Sequence, residues 1–514
     1  MMKKNKMPAP LFLVQVIRIL KSQMYTHIKG KYLVVLLCIM VLALALRLIN
    51  LNMPLWGDET LTWAYSRGTP FIEMLQNAPK KTILYYALMH FTISAFGITP
   101  WAMRILSVFF GIAILPLVYW GMREASFSKE DSLISTLLVA TSSMLIYYSQ
   151  EARAYSMLAF LGVLSLILLF RCFQNPIPIN LVLYSISLIL IAYTFRYGFL
   201  LVGGFILCAL LYRHWRLATI TLIFSTVINL DIFINYLQKS SEGITFKGGA
   251  SGDPTDIKAI TSLVNSLTTG TLGMQTITKI PNAHSLKFPI ANVNFILPVI
   301  GALIIGLILF IFIKNRKLFS SLQKQFIDIL AISILIPILL ALILGSPILP
   351  KPQWLLRGLI YIWPLYFMFL TAAASKSKAK IYLIAVVVLL NIISLLPYYT
   401  IYKRFIDVTA FDQLNTQVTE KDLVIADPFY MYNLIDYYYD GSAPMVGYHP
   451  TKGWIDIEQM AFSNDFGLIP IEENPNPIGD IFFYYGRFHS DWIESYPNNR
   501  IFFYNSKSRT WTEY

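Results

Sequence analysis

Residues 33–51 read LVVLLCIMVLALALRLINL, and seven positions past their end comes an acidic pair, Asp58-Glu59, in the stretch Leu55-Trp56-Gly57-Asp58-Glu59. The apolar run holds a single charge, Arg47, close to its end. A helix over it would be about 28 Å long at 1.5 Å per residue, enough to cross the hydrocarbon core of a bilayer. Two adjacent carboxylates at the mouth of such a helix bring nothing to its packing. They face water, hold an ion or perform chemistry, and choosing among these largely decides the function.

Outside this stretch the composition agrees with a membrane protein. Of 514 residues 56% are hydrophobic and only 13% charged, with a mean hydropathy of +0.58. A soluble chain of this size needs far more polar surface. The net charge of +13 is no nucleic-acid footprint, because much of the Lys and Arg lies in short clusters between apolar runs, where membrane orientation places it. Cys38, Cys172 and Cys208 all fall inside apolar runs, so no disulfide framework is implied. Residues 1–32 carry Lys3, Lys4, Lys6, Arg18, Lys21, Lys29 and Lys31, and no small-residue cleavage site follows the first run. That segment reads as a cytoplasmic basic N-terminus ahead of a retained signal anchor. The histidines lack metal-ligand spacing, and neither GxxxxGK[ST] nor a GxGxxG after a strand occurs.

Eleven apolar runs predict membrane spans, near 33–51, 101–121, 131–148, 154–173, 179–195, 196–213, 216–236, 291–313, 326–346, 356–374 and 380–398. A shorter run, 82–97, sets the parity of all that follows. If it does not cross, and the N-terminus is inside, then Arg123/Lys129, Arg213–Arg216, Lys314–Lys317 and Lys376–Lys380 all lie inside, as the positive-inside tendency requires. Residues 82–97 are therefore expected as an interfacial helix within a first external loop of about 52–100, with Trp56, Trp63 and Trp101 suited to that depth. A polar loop at about 237–290 is expected to be external and mobile. Residues 401–514 change character, with short apolar runs at 422–428 and 480–486 bounded by turn formers and a candidate helix over 430–439. They predict a small external α/β domain, following a transmembrane domain of residues 33–400.

The depth of the ionisable groups is informative. The middles of the runs are nearly free of charge, whereas transporters of ions or charged solutes usually keep such groups near the midplane. Here Asp58, Glu59, Lys80, Lys81, Arg104, Gln150, Glu151, Arg153, Arg196 and Arg357 all gather on the expected outer side. Each alone has a bland reading: a solvated acidic pair, lipid-headgroup anchors, a locally paired turn at 150–153. Together they suit a substrate with an anionic head and a greasy tail, since the planar guanidinium fork grips two phosphate oxygens.

The order of these residues carries a resemblance. An acidic pair soon after the first span is followed by an interfacial helix ending in Phe96-Gly97, then by Trp101-Ala102-Met103-Arg104-Ile105-Leu106-Ser107. Tyr148-Ser149-Gln150-Glu151-Ala152-Arg153-Ala154-Tyr155 comes next, and Trp354-Leu355-Leu356-Arg357-Gly358-Leu359 precedes Pro364. This pattern resembles the family 39-type glycosyltransferases of the GT-C superfamily, which include protein O-mannosyltransferases, the lipid A aminoarabinose transferase and bacterial core-oligosaccharide transferases. The resemblance spans about residues 33–400. One departure stands out: many members have His-Pro-Pro ahead of the interfacial helix, and this chain has Ala78-Pro79-Lys80-Lys81-Thr82.

The resemblance implies a polytopic GT-C fold in a bacterial inner membrane and inverting transfer of a sugar from a polyprenyl-phosphate donor to an acceptor on the external face. The acceptor could be a glycan, a lipid or a protein. It implies Asp58 as the general base, with Glu59 supporting. Arg357 and Arg153, then Arg104, Arg196, Lys80 and Lys81, become contacts for the donor phosphate. Gln150, Glu151 and Tyr155 become loop-positioning residues, and a divalent cation could share the charge stabilisation. The rival from another class is a flippase or exporter of lipid-linked sugars, which would carry polar groups through the bilayer. A non-catalytic scaffold would leave the gathering of Asp58, Arg153 and Arg357 without a purpose.

Overall fold

The computed structural model describes residues 30–67, 70–226, 257–270, 293–346, 355–400, 408–426, 432–441, 445–449, 453–456, 481–484, 500–505 and 510–513. Most of the expected N-terminal basic segment and of the 237–290 loop lies outside these residues, as do residues 347–354.

The chain is mostly helical, as its hydropathy demands. Among the described residues five helices are long and apolar enough to cross a membrane: α1 (Lys31–Leu48), α5 (Pro100–Glu124), α8 (Tyr155–Gln174), α13 (Val293–Asn315, its apolar stretch running Leu297–Leu318) and α14 (Ser321–Leu344). A bent pair, α6 (Lys129–Thr141) and α7 (Ser143–Ser149), makes a sixth candidate. The other expected spans fall on shorter apolar helices: α9 (Pro178–Ala192), α10 (Gly198–Leu211), α11 (Trp215–Thr226), α15 (Ile362–Ala374) and α16 (Lys380–Thr400). Burial separates centre from rim. The apolar window of α8 is 83% buried and every residue of α15 is buried, whereas the windows of α1 and α13 are 22% buried and turn most of their leucines and valines outward. With no water to solvate them, such outward apolar faces are what a bilayer requires.

The expected single span at 131–148 is broken, with a 57° bend at Ser142. The break frees backbone groups inside an apolar bundle, where each unsatisfied group costs free energy. The Arg47 side chain, fully buried, supplies the missing donors. It gives hydrogen bonds to the Ala140 carbonyl (3.1 Å), the Ala43 carbonyl (3.1 Å) and Ser149 Oγ (3.1 Å). The one charge of the opening run is thus an internal strut and not a headgroup anchor.

Charged loops sort to two ends. At one end Lys380 pairs with Asp131 (2.7 Å), Tyr32 bonds Glu130 (2.5 Å) and Gln323 reaches the Ser126 carbonyl (3.0 Å). These are segments that the charge pattern expects inside. The loops expected outside meet at the other end. The apolar stretch of uncertain parity forms α4 (Ile83–Phe96), whose Leu84 N–H bonds the Tyr193 carbonyl at the close of α9 (3.1 Å) and whose His90 meets the Ser66 carbonyl (2.9 Å). Its start and middle both sit at that second end, where an interfacial helix is expected.

Within the expected loop at 237–290, residues Ile257–Thr269 are a helix, α12, and not a polar loop. Its Ser262, Leu263, Asn265, Ser266, Leu267 and Thr268 are buried, and the Trp363 indole N–H bonds the Ser266 carbonyl (2.9 Å). Its mixed composition hides this from hydropathy, because the polar and apolar residues alike are buried in the bundle.

The tail forms α17 (Thr409–Gln417), α18 (Tyr432–Tyr438) and six strands, β1 (Leu423–Ala426), β2 (Met445–His449), β3 (Gly453–Asp456), β4 (Ile481–Tyr484), β5 (Ile501–Asn505) and β6 (Thr510–Glu513). The sheet order is β3-β2-β1-β4-β5-β6, parallel in the middle and antiparallel at both edge pairs. The runs read from the sequence at 422–428 and 480–486 are the two central strands.

Candidate active site

The acidic pair opens α2 (Gly57–Ser66), where both carboxylates sit in the first turn and favour the positive end of the helix dipole. A helix turns about 100° per residue, so neighbours must diverge. Glu59 points inward and is fully buried, while Asp58 keeps 29% of its side chain exposed.

Glu59 is locked. Its Oε1 accepts from Arg104 Nε (2.8 Å) and the Ala152 amide (2.8 Å), and its Oε2 from Arg104 Nη2 (2.6 Å) and the Trp56 amide (3.3 Å). Arg104, 2% exposed on α5, spends its remaining donors on the carbonyls of Leu51 (2.8 Å), Met53 (2.5 Å) and Pro54 (3.0 Å). All five guanidinium N–H groups are therefore engaged. Expected as a phosphate contact, Arg104 is instead the knot that ties the 51–56 loop to the start of α2. Glu59, expected to orient the loop or to help bind acceptor or metal, is the carboxylate partner that makes burial of Arg104 tolerable.

Asp58 has different company. Its Oδ2 lies 2.9 Å from Arg357 Nη1, and its backbone carbonyl accepts from Arg153 Nη1 (3.0 Å), which also reaches Thr62 Oγ1 (3.3 Å). Burial opposes the charge on Arg153, and Asp58 together with the Tyr86 and Tyr155 phenols more than offsets this, so the guanidinium is held firmly charged. The same balance, with burial opposed by Tyr155 and Asp58, holds Arg357 charged. Burial in turn pushes the Tyr86 phenol up, keeping it neutral beside Arg153. Tyr155, 1% exposed, lies with its ring 5.8 Å from the Arg357 guanidinium.

Arg357 reaches Asp58 because the chain does not enter α15 directly. A 3-10 turn, Leu356–Leu359, precedes it and is pressed against Tyr197. A Cβ on Gly358 would stand 2.5 Å from the Tyr197 ring, so only glycine permits this approach. The Tyr361 hydroxyl fastens the same turn to the Tyr197 carbonyl (3.1 Å). Arg357 Nε is buried without a hydrogen-bond partner among the described residues, on the side chain that pairs Asp58.

The remaining candidates separate. Gln150 gives its amide to the Arg47 (2.9 Å) and Ile49 (2.6 Å) carbonyls at the end of α1 and accepts from the Tyr398 hydroxyl, so it caps that helix. Glu151 is buried, and its carbonyl accepts the Arg153 amide (2.7 Å), whereas the Arg153 side chain turns to α2 rather than pairing within the turn. Lys80 and Lys81 are exposed on the 3-10 turn Lys80–Thr82, and Arg196 is half-buried beside Tyr197, 5.8 Å from its ring. Thr62 and Tyr86 join the cluster without any signal in the sequence; as uncharged residues among many others of their kind they carry no mark.

No group of three or more His, Cys, Asp and Glu side chains suited to a metal occurs among the described residues; the cations at this cluster are arginines. An open cleft of about 320 Å³ lined by Leu211, Tyr212, Asp328, Ala331 and Ile332 includes none of these residues.

Residues 67–238 match the family described as dolichyl-phosphate-mannose-protein mannosyltransferase. This bears out the GT-C resemblance of the sequence. The matched segment holds α4, Arg104 and the turn with Arg153, and begins after Asp58 and Glu59. Solved structures to which the chain is similar include ArnT from Cupriavidus metallidurans in the apo state (13% identity, TM-score 0.41) and the same protein bound to undecaprenyl phosphate (11% identity, TM-score 0.40), each comparison covering 81% of this chain and 85% of the other. No curated protein sequence matches the chain.

Proposed function

We propose that the protein is an inverting glycosyltransferase that takes a sugar from a polyprenyl-phosphate donor and passes it to an acceptor on the external face of a bacterial inner membrane. The observation that carries this reading is the Asp58–Arg357 contact, flanked by Arg153, at one end of an apolar helical bundle. A carboxylate next to two permanent cations at a bundle end matches a donor with a greasy tail, a phosphate and a sugar beyond it. The family matched by residues 67–238, described by its phosphate-linked sugar and lipid, supports the donor class.

In this reading Asp58 accepts the proton of the acceptor hydroxyl as its oxygen attacks the anomeric carbon. The bond from that carbon to the phosphate oxygen breaks, its electron pair leaves with the polyprenyl phosphate, and configuration inverts. Arg357 and Arg153 stabilise the charge that develops on the leaving phosphate. Before the donor arrives, Arg357 rests on Asp58. The phosphate draws on the same guanidinium, including its unpartnered Nε, and so loosens the hold on the base as the donor binds. Glu59 and Arg104 act one step back, holding Asp58 in place.

The test is release of polyprenyl phosphate by purified protein given radiolabelled polyprenyl-phosphate sugar and acceptor in detergent. Transfer without sealed vesicles supports the enzyme. Absence of transfer in detergent, with donor movement across sealed vesicles, refutes it in favour of a flippase.

A further inference from the structure

Three consecutive side chains of the C-terminal region clasp the element that carries Asp58. The Tyr438 hydroxyl accepts the Leu55 amide (2.6 Å) and lies 3.3 Å from the Leu55 carbonyl, three residues ahead of Asp58. Asp436 pairs with Arg67 (2.7 Å) at the far end of α2, and Arg67 stacks on Trp63 with 4.3 Å from guanidinium to ring. Tyr437 meets the same Trp63 edge to face (5.2 Å) and gives its hydroxyl proton to the Ile98 carbonyl, just before the helix that bears Arg104. Together α18 touches both ends of α2, its outer face and the entry of α5.

The clasp is itself backed by the tail. Tyr438 stacks on the buried Phe411 ring of α17 (5.3 Å, 16° between planes), Asn415 bonds the Tyr438 carbonyl (3.1 Å), and Asn415 in turn accepts the Asp440 amide (2.9 Å). Arg104 and Glu59 fix the 51–56 loop from inside, and Tyr438 satisfies the Leu55 N–H, which neither of them reaches.

Resting on the enzymatic reading above, we infer that Tyr438 is a positioning residue for the transfer reaction and that the C-terminal domain works as a brace for the Asp58 loop. A loop of this kind, ordered at a reacting centre, loses rate steeply when its carboxylate strays by a fraction of an ångström. The domain therefore acts on turnover while leaving the donor phosphate contacts, Arg357 and Arg153, in place.

The experiment compares the full-length protein with Tyr438→Phe, which keeps the ring on Phe411 and removes one hydroxyl. Hydrogen exchange across residues 51–56 should rise about three- to tenfold, the loss of one hydrogen bond. Affinity for undecaprenyl phosphate, used as the probe, should be undiminished. The envelope glycan product in a complemented deletion strain should fall roughly ten- to a hundredfold. Arg67→Gln, which opens the other end of the clasp, should raise exchange near the end of α2. Wild-type exchange in both variants overturns the clasp, and wild-type glycan with a loosened loop overturns the positioning role. Should Asp58→Asn also leave the glycan intact, the enzymatic reading fails instead, and the exchange arm still decides the clasp.

Discussion

Arg357 Nη1 stands 2.9 Å from Asp58 Oδ2, joining residues 299 positions apart, and each side chain keeps 29% of its surface open. A pair this exposed adds only about 0–1 kcal/mol to stability. In the proposed mechanism its worth lies in exchanging partners when the donor phosphate arrives. Arg357→Ala should leave the melting temperature nearly unchanged while weakening undecaprenyl phosphate binding roughly tenfold or more, as expected for loss of a charge-assisted fork. Native mass spectrometry or thermophoresis reads this, and an undiminished affinity refutes the phosphate role.

Asp58→Asn keeps the shape and removes the proton acceptor. Transfer should drop by about two to four orders of magnitude, the usual worth of a positioned base, with undecaprenyl phosphate binding retained. Near-normal turnover by the purified variant ends the assignment of Asp58 as base.

Glu59→Ala leaves the Arg104 guanidinium buried without its carboxylate. Breaking a buried pair from one side typically costs about 3–5 kcal/mol. Thermal melting in detergent should show a large drop, in contrast to Asp58→Asn, which should melt near the wild type. Equal melting of the two variants contradicts the division between structural and reactive carboxylates.

Gly358→Ala places a methyl 2.5 Å from the Tyr197 ring, so the turn that delivers Arg357 must shift. Overpacking of this kind costs about 1–3 kcal/mol, and here it should also weaken the phosphate probe more than it lowers stability. A variant that binds undecaprenyl phosphate like the wild type shows that the turn is not what aims Arg357.

Much of this was legible in the chain. Runs of eighteen or more apolar residues announce spans, and basic clusters between them assign ends, because transfer of a charge into hydrocarbon costs several kcal/mol wherever it occurs in the fold. Asp58 and Arg357 stood out because ionisable residues are scarce here. What hydropathy could not show is which buried polar residues are held by others. Arg47, a single charge near the end of the opening run, is a strut across a broken helix; Arg104 looked like a ligand for phosphate and proved to be fully engaged with Glu59 and three carbonyls. The helix at 257–269 hid in a polar stretch for the same reason.

Sequence by itself determined the class of fold, the ends at which charge gathers and the acidic pair worth attention, since these follow from local composition and the insolubility of charge in lipid. Only the tertiary structure decided which carboxylate of the pair is locked inside and which faces Arg357. A helix sends adjacent residues in different directions, so Glu59 was turned into the bundle against Arg104 and Asp58 out toward Arg357. The same holds for Tyr438, which meets Leu55 from 383 positions away. Such meetings depend on how helices pack rather than on any property of the residues read singly.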